Sequence, residues 1–595
     1  MLFSDLAEYL EKLEKTSKRL EITSILSELI LKLDPNEIDI GVYLTLGYLR
    51  ASYENPKFNI ADRMMLRILL QTYSSPNRHL TEIQINELYK KAGDLGNVAY
   101  ELAPQKKESN LSLEEVHKKL QEIAEIEGSG SQDNKVVKTA ALLKDLNRLS
   151  AKYVVRIILG TTRLGFTELT LADALALSTG DPKAGAAIER VYSLHPDIGY
   201  IAKMIRKSGI GGMKNIVVET GVPILSQKAQ RVSGPEEAME KMKNVWAEYK
   251  FDGTRVQLHM DRTKSITDTQ LTQTPLFSSK KVGFLIKTFT RNLEETTHQY
   301  PDIVSAATEQ IDAESVILDG EAIGFNRETG DFLPFQETMQ RKRKHGISET
   351  ALEIPLKYFV FDLLYLNGES LVDKTLRERK KLLREIVKDG ETIIVDDYIE
   401  SDSLEEIEEY FELAEEKGLE GLILKRPEDP YQAGARSFSW VKLKKADKKL
   451  LTDSVDCIVL GYYAGRGVRS KFGIGGFLIG VYDPETDTYK TISKVGTGLS
   501  DSDWAELKLM CDKVKIDKFP QNVDVPKNFM PDTIVSPKIV VEIGADEISE
   551  SPSHSAGYAL RFPRLLRFRK DKGATDATTT DEIKKMYKNQ KRGHY

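Results

Sequence analysis

Lys250 opens the run K-F-D-G-T-R, whose residue types are well suited to covalent chemistry. A lysine amine is a nucleophile when it is neutral, and neighbouring cations and desolvation lower a lysine's pKa. The alternating residues 244–249 predict a strand that ends at this lysine, and Asp252 with the following glycine predicts a turn. Arg255 would then lie back over the turn near Glu248, an arrangement that suits a polyphosphate. A solvated hairpin tip is the alternative interpretation of so short a motif.

Short segments downstream combine strand-like runs with carboxylates, cations and one aromatic residue. Phe361 lies in the apolar run 356–364, where it either stacks on a base or belongs to the core. Side chains alternate along a strand, so the W-V-K-L-K run at 440–444 places two lysines on one face. These lysines have a plain alternative as an ordinary polar face. The candidates from these segments are Arg291, Glu321, Phe361, Glu420, Lys425, Arg436, Lys442 and Lys444.

Bulk composition predicts a soluble, globular protein of three or four domains. The chain has 595 residues, 40% hydrophobic and 30% charged, with a formal net charge of -6. The negative charge argues against a protein that simply coats nucleic acid, but local basic patches remain compatible with DNA binding. No apolar stretch approaches the ~20 residues of a transmembrane helix. Residues 1–33 predict one amphipathic helix and not a signal peptide.

The periodicity and composition that predict secondary structure change twice along the chain. Residues 1–215 predict an all-α domain, since helical spacing dominates there and glycine-rich stretches interrupt it. Residues 216–445 alternate strand-like runs with charged helices, which predicts an α/β domain. Residues 446–595 contain short strands with glycine-rich connections and a basic end, which predicts a small β-barrel.

The order of the motifs carries more information than any one of them. Along the chain run K-x-D-G-x-R, T-R-N, D-G-E, F-D, E-G-x-x-x-K and W-x-K-x-K. This series resembles the superfamily of ATP-dependent DNA ligases, RNA ligases and mRNA-capping guanylyltransferases, over roughly the last two thirds of the chain. The R-F-P-R at 561–564 with D-A-T-T at 576–579 is similar to replicative-type DNA ligases of archaea and eukaryotes. The segments 128–131 and 155–160 resemble their helical DNA-binding domain, whereas 221–228 departs from their P-M-L-A pattern.

The resemblance implies a multidomain ligase with a helical DNA-binding domain, a nucleotidyltransferase domain and an OB-fold. Its reaction would seal nicks in duplex DNA in three steps, during replication, repair and recombination. Lys250 attacks the α-phosphate of ATP, the AMP passes to the 5′-phosphate of the nick, and the 3′-hydroxyl then displaces AMP. Glu248 would read the adenine amino edge and Phe361 would stack on the ring. Arg255 and Arg291 would hold the ribose or the phosphates.

Other implied roles concern the metal, the phosphates and the DNA. Glu321 and Glu420 would position the ribose and hold Mg²⁺, a hard ion that prefers carboxylate oxygen and water. Lys425 would support Glu420. The implied α-phosphate ligands are Arg436, Lys442 and Lys444. After its domain closes over the nucleotide, the R-F-P-R segment would orient pyrophosphate through Arg561, Arg564 and Lys572. The expected DNA contacts are Arg156, Arg163, Arg466, Arg469 and Lys471.

Two alternatives remain open at this point. An RNA ligase or capping enzyme would use the same lysine, but the helical front end and the R-F-P-R tail speak against it. A non-catalytic DNA-binding scaffold would be expected to lose Lys250 or a metal-binding glutamate, and both are present. An NAD-dependent ligase is disfavoured, because Cys457 and Cys511 are the only cysteines and cannot form a four-thiolate zinc site.

The expected partners follow from the same resemblance. Nicked duplex DNA is the substrate, a sliding clamp is a reasonable partner, and no membrane association is expected. We expect a monomer. The absence of a eukaryotic-style extension favours a prokaryotic, archaeal enzyme in the cytoplasm, associated with the nucleoid.

Overall fold

The chain divides into two compact units. The computed structural model describes residues 1–75, 79–105, 108–181, 184–232, 234–265, 283–342, 347–444, 454–465 and 467–592. The first unit comprises Met1–Asn59, Glu108–Lys138 and Ile157–Ala446, and the second comprises Ile60–Lys107, Thr139–Arg156 and Asp447–Tyr595. A unit boundary thus falls at 446–447, whereas the helical N-terminal region contributes to both units.

The N-terminal region is helical, as its sequence periodicity predicts. Its helices are α1 Phe3–Glu14, α2 Arg19–Lys32, α3 Ile38–Leu46, α4 Asp62–Tyr73, α5 Glu82–Ala92, α6 Leu95–Leu102, α7 Leu113–Ala124, α8 Ser131–Asp145, α9 Arg148–Ile158, α10 Glu168–Ser178, α11 Ala184–Leu194 and α12 Ile198–Ser208, followed by the 3₁₀ turn Ile210–Asn215. The prediction of one helix over 1–33 is wrong. Two helices form there, and in the connection between them the hydroxyl of Thr16 accepts from the Lys18 backbone N–H at 3.2 Å, a local alternative to helical hydrogen bonding.

Two sheets form the centre of the first unit. One has the strand order β1-β11-β10-β2-β9, and the other has the order β4-β3-β5-β6-β7 with β8 beside β6. The strands are β1 Lys228–Arg231, β2 Val245–Lys250, β3 Thr254–Ser265, β4 Phe284–Thr290, β5 Ser315–Gly324, β6 Leu356–Leu366, β7 Glu369–Ser370, β8 Ile393–Val395, β9 Tyr398–Ser401, β10 Gly421–Lys425 and β11 Arg436–Lys444. The chain crosses between the sheets directly after Lys250, so the lysine lies where they diverge.

Helices pack on or beside these sheets, and Phe335 of one of them lines the cavity described below. They are α13 Pro235–Met242, α14 Pro301–Gln310, α15 Phe335–Thr338, α16 Ile347–Glu353, α17 Leu376–Ile386 and α18 Leu404–Glu416. Val245 and Ala247 of β2 pack with Leu422 and Leu424 of β10 in a buried apolar cluster. Since strand side chains alternate, burying Val245 and Ala247 turns the even-numbered residues of β2 to the opposite face.

The second unit contains the β-rich C-terminal region. Its strands are β12 Val455–Tyr463, β13 Gly476–Asp483, β14 Thr488–Val495, β15 Lys515–Ile516, β16 Val523–Asp524, β17 Thr533–Val535, β18 Val540–Gly544, β19 Glu547–Glu550, β20 Tyr558–Arg561 and β21 Arg564–Phe568, with the helices α19 Asp501–Lys513 and α20 Thr580–Arg592. The main sheet runs β15-β17-β12-β13-β14-β16, and β18 joins β12 to β21. Both cysteines lie buried in the core of this region.

Within the described part of the chain, no helix has the length and apolar character needed to span a bilayer.

Candidate active site

Strand register brings the motif residues of three separate segments into line. Ile423 of β10 pairs with Glu248 on one side and Lys442 on the other. Two residues along, Gly421 pairs with Lys250 and with Lys444 in the same way. Residues two apart on a strand share a face, so one face of this sheet presents the nucleophile candidate, a carboxylate and two further lysines.

Two glycines permit the close approaches that this arrangement needs. A Cβ on Gly253, in the turn after Lys250, would lie 2.5 Å from the Ala322 carbonyl oxygen. A Cβ on Gly421 would lie 2.2 Å from the Leu443 carbonyl oxygen, and its φ of +135° is itself unfavourable for other residues. Both glycines of D-G and E-G are therefore required by packing around the lysine.

A cavity of about 500 Å³ opens above this face, a size suited to a nucleotide. Every residue that the sequence suggested for the nucleotide or metal lines it: Glu248, Lys250, Arg255, Arg291, Glu321, Phe361, Glu420, Lys425, Arg436, Lys442 and Lys444. These residues come from seven strands or their ends, and the two sheets bring them together.

Glu420 bridges two lysines at the outer part of the cavity. One carboxylate oxygen contacts Lys250 Nζ and the other contacts Lys444 Nζ. The Glu420 backbone N–H donates to the Lys250 carbonyl at 3.0 Å, which fixes the start of β10 against the end of β2. We call Lys250, Glu420 and Lys444 the outer triad. All three side chains remain partly accessible to solvent.

Glu248 forms a second bridge in the interior. Lys380 Nζ donates to one of its carboxylate oxygens at 3.0 Å, and Lys425 Nζ contacts the other. We call Glu248, Lys380 and Lys425 the inner triad. Burial lowers the pKa of Lys425, although the Glu248 carboxylate opposes this shift. The prediction that Lys425 supports Glu420 is therefore corrected, because the structure pairs Lys425 with Glu248 instead.

Asp396 lies beside the inner triad and also lines the cavity. It follows β8, and its backbone N–H donates to the Val360 carbonyl at 2.9 Å. Burial raises its carboxyl pKa well above the ordinary value, and the nearby Glu248 carboxylate acts in the same direction. The residue is 3% exposed.

Arg255 is held mainly by the protein. Its Nε and Nη2 donate to the two oxygens of Asp319 at 3.0 and 2.6 Å, and its Nη1 donates to the Gln227 carbonyl at 2.7 Å. Tyr431 also donates to Asp319, at 2.8 Å. Arg255 Nη2 also donates to the Tyr431 hydroxyl at 3.4 Å, so four of the five guanidinium N–H groups are taken and one is left for a nucleotide.

Glu321 is a carboxyl whose environment favours the protonated form. It pairs in register with Arg255 across β5 and β3 and lies under the turn that contains Gly253. Burial raises its pKa to about 8, while the guanidiniums of Arg255 and Arg291 oppose this rise. For Glu321 to act as a carboxylate at neutral pH, a bound cation or a neighbouring hydrogen-bond donor would have to lower its pKa.

Phe361 lies at the rim of an aromatic group in the cavity. Its ring meets Trp440 edge-to-face at 5.7 Å between centroids. Lys425 Nζ lies 4.4 Å from the Phe361 centroid and 4.3 Å from that of Trp440. The Phe361 ring is half-buried, so one side remains available to the cavity.

The cations of the R-F-P-R segment are all paired within the second unit. Arg564 lies 2.7 Å from Asp546, Lys572 lies 2.5 Å from Asp456, and Arg561 lies 3.7 Å from Glu547. These carboxylates would have to exchange partners before the cations could hold phosphate.

The suggested DNA contacts differ in their surroundings. Arg156 is a correction: it is 2% exposed and donates to Asp94 at 3.2 Å, so it is not available at the surface. Arg163 lies exposed in the loop after α9. Arg469 donates to the Gly475 carbonyl at 3.0 Å and Lys471 pairs with Asp501 at 2.9 Å, both on the exposed surface. Arg466 lies outside the described residues.

Four residues of the cavity region were not assigned roles from the sequence. Asp319 orients Arg255, Lys380 neutralises Glu248, Trp440 packs on Phe361, and Asp396 lines the cavity. Asp319 lies in the D-G-E motif and Trp440 in the W-x-K-x-K motif, so the sequence showed both residue types. Lys380 lies in a charged helix and Asp396 follows a short strand, and neither position carries a local signal.

Comparison with known proteins agrees with this geometry. Three sequence-family models match the chain: DNA ligase N terminus at residues 2–176, ATP dependent DNA ligase domain at 280–444 and ATP dependent DNA ligase C terminal region at 470–572. The protein named "Probable DNA ligase" from Dictyoglomus turgidum is 41% identical over 601 residues, covering 100% of this chain and 98% of that protein. "DNA ligase" from Sulfolobus acidocaldarius is 37% identical over 614 residues, covering 99% and 98%.

The overall architecture is also shared with a solved structure. The one named "Pmar-Lig_PreS3" is 17% identical, covers 95% of this chain and 99% of its own, and superposes with a TM-score of 0.51, which shows a common fold. The chain belongs to the ATP-dependent DNA ligase family. As in that family, it seals nicks in DNA through an adenylate intermediate.

Proposed function

We propose that the cavity around Lys250 carries out the nucleotidyl transfer steps of nick sealing. Neutral Lys250 Nζ attacks the α-phosphorus of ATP, an N–P bond forms, the bond to the bridging oxygen breaks, and pyrophosphate leaves. The AMP then passes to the 5′-phosphate of a nick in duplex DNA. The 3′-hydroxyl attacks that phosphate and AMP leaves. The supporting observation is that Lys250 ends β2 inside a nucleotide-sized cavity lined by cations and carboxylates.

The base and ribose would occupy the part of the cavity between the two sheets. Glu248 accepts from the adenine 6-amino group and Phe361 stacks on the ring. The inner triad supports this role, since two lysines hold the Glu248 carboxylate in one orientation. Arg291, which lines the cavity, would contact the ribose or phosphates directly. Arg255, with most donors on Asp319 and Gln227, contributes its remaining N–H group and its charge.

The phosphates would lie over the outer triad. Lys442, Lys444 and Arg436 neutralise charge on the α-phosphate. Among the described residues no cluster of three or more metal-binding side chains occurs. Mg²⁺ needs only one or two carboxylates when phosphate oxygens and water complete its shell, so Glu321 and Glu420 fit it as such a pair. When bound, such an ion would neutralise phosphate charge. Glu420 pairs with both Lys250 and Lys444, so Lys250 would have to leave this pair before it attacks.

The C-terminal region would serve both the nucleotide and the DNA. We assign its strands to an OB-type barrel, and its R-F-P-R segment to orienting pyrophosphate through Arg561, Arg564 and Lys572. Phosphates would replace the carboxylates that now pair with these cations. Arg163, Arg469 and Lys471 are exposed cations suited to the DNA backbone. A sliding clamp, a monomeric state, and action in replication and repair in the prokaryotic cytoplasm complete the proposal.

One experiment tests the nucleophile. The protein is incubated with α-³²P-ATP and Mg²⁺, denatured and examined for acid-labile label, and a second sample is chased with nicked duplex DNA. The wild-type chain should retain label and lose it to the nick. Lys250→Ala should take up none.

The matched control is Lys417→Ala. Lys417 is an exposed lysine that donates to Tyr249, the neighbour of Lys250, at 3.0 Å, and its removal should leave labelling intact. Label on Lys250→Ala would refute the assignment of the nucleophile. Wild-type labelling without transfer to nicked DNA, but with transfer to a 5′-phosphate of RNA, would redirect the substrate.

A further inference from the structure

Asp396 is the member of the cavity lining whose placement is least explained by charge pairing. The described residues give its carboxyl oxygens no hydrogen-bond donor, although Lys380 donates to Glu248 nearby and Lys425 Nζ contacts the same Glu248 carboxylate. A carboxyl that is 3% exposed and lacks donors is costly in its ionised form. In its neutral form the same group is a hydrogen-bond donor in need of an acceptor.

The pairing of the flanking strands determines the position of Asp396. Asp396 and the next residue connect β8, which pairs with the strand of Phe361, to β9, which pairs with the strand of Glu248. Val360 holds the Asp396 backbone at 2.9 Å, directly before Phe361. Asp396 therefore lies between the stacking aromatic and the carboxylate proposed to meet the 6-amino group.

The chemistry of adenine supplies the missing acceptor. Its 6-amino group is flanked by two ring nitrogens, N1 and N7, and both accept hydrogen bonds. Any group adjacent to Glu248 along the edge of the base meets one of these two nitrogens. Guanine instead carries an acceptor oxygen at position 6, which a Glu248 carboxylate would repel, and a donor N–H at position 1.

We propose that the Asp396 carboxyl is a second purine-reading group, which donates a hydrogen bond to N1 or N7 of adenine while Glu248 accepts from the 6-amino group. This proposal rests on the proposed function, because it places the base of ATP in the cavity. Burial, and after it the nearby Glu248 carboxylate, raises the pKa of Asp396, which favours the protonated form that can donate. Asp396 would thus add a hydrogen bond to the adenine ring without touching the reacting atoms, and it would exclude guanine only if that bond is to N1.

The test compares ATP with 1-deaza-ATP and 7-deaza-ATP, in each of which a carbon replaces one acceptor nitrogen. The rate of lysine labelling is measured against nucleotide concentration for each. In the wild-type chain one analogue should show a KM raised roughly three- to tenfold over ATP, the loss of one hydrogen bond. The maximal rate should change little, because the bond is made equally in the ground and transition states.

Two variants locate the donor. Asp396→Ala should raise the KM for ATP to that of the affected analogue and abolish the difference between them. Asp396→Asn keeps an N–H donor and should retain the discrimination. The control is Asp397→Ala, which removes the exposed neighbouring carboxylate that lies 3.5 Å from Arg384. It should behave as wild type.

Several outcomes would overturn the proposal. If neither deaza analogue raises KM in the wild-type chain, neither ring nitrogen accepts a hydrogen bond and the proposal is wrong. This outcome needs only the wild-type chain, so it does not depend on whether Asp396→Ala folds. Equal discrimination in Asp396→Ala and wild type would place the donor elsewhere, and loss of it in a folded Asp396→Asn would exclude a donor role. Failure of the proposed function is distinguishable, since ATP would then not label Lys250 in the wild-type chain at all.

Discussion

Two lysine–glutamate–lysine triads lie at one cavity and differ mainly in their exposure to water; every member except Lys380 lines the cavity. The side chains of the inner triad, Glu248, Lys380 and Lys425, are 2%, 1% and 1% exposed. Those of the outer triad, Glu420, Lys250 and Lys444, are 26%, 19% and 33% exposed. Both triads use the same residue types, and their glutamates lie on adjacent segments of one sheet.

The difference suits the two triads to different tasks. Buried ions in a low-dielectric interior attract strongly but lose their hydration, so they persist only as a complete set. Such a set is a rigid support for reading a base. Half-exposed ion pairs contribute little to stability and exchange partners readily. In an outer triad of that kind, Glu420 can change partners, which would free Lys250 when ATP binds.

The largest effect should come from breaking the inner triad. Glu248→Ala leaves Lys380 and Lys425 buried without their shared counter-ion, and we expect the free energy of unfolding to fall by about 3–5 kcal/mol. Glu420→Ala removes the same side chain from the outer triad and should cost about 1 kcal/mol or less. Urea denaturation followed by circular dichroism measures both.

A compensating variant checks the cause. Lys425→Met in the Glu248→Gln background restores charge balance in the inner triad with an apolar side chain of similar length. It should regain part of the stability lost in Glu248→Gln, because one of the two uncompensated buried lysines is removed and Lys380 remains. Equal losses in Glu248→Ala and Glu420→Ala would show that exposure does not distinguish the triads.

A pH effect of intermediate size is expected at Glu321, whose neighbouring cations are arginines. Its pKa rises from 4.5 to about 8 on folding, chiefly through burial. The folded state therefore retains a proton that the unfolded state releases, and the associated stability is fully present below pH 4.5 and lost as the pH rises towards 8. The slope should be at most about 1.4 kcal/mol per pH unit.

Glu321→Gln, which cannot ionise, should remove this slope when unfolding is measured between pH 5 and pH 8. Glu328→Gln changes an exposed carboxylate in the loop after the same strand and should keep the wild-type slope. An unchanged slope in Glu321→Gln would mean that Glu321 is already ionised in the folded chain near neutral pH.

Local patterns predicted much of this site. The strand predicted at 244–249 runs as Val245–Lys250. Strand alternation also placed Lys442 and Lys444 on one face. These features depend on neighbouring residues alone, which is why a single sequence contains them.

Features that depend on distant pairing were not predicted. Lys380 reaches Glu248 across 132 residues, and the position of Asp396 follows from the pairing of β8 and β9 with strands of different sheets. The burial of Arg156 likewise depends on Asp94, 62 residues away. The resemblance to ligases supplied the roles of motif residues, but it carried no information on these partners.

The smallest effect should appear in the salt dependence of binding. Adenosine would meet mainly the inner triad and the aromatic group, whereas ATP would also meet the half-exposed cations of the outer triad. Salt screens exposed charges far more than buried ones, so raising KCl from about 0.05 to about 0.5 M should weaken ATP binding about three- to tenfold and adenosine binding less than about twofold. Titration calorimetry measures both. Lys444→Ala should reduce the salt dependence for ATP and leave that for adenosine unchanged; equal dependence for the two ligands would remove the distinction between the triads.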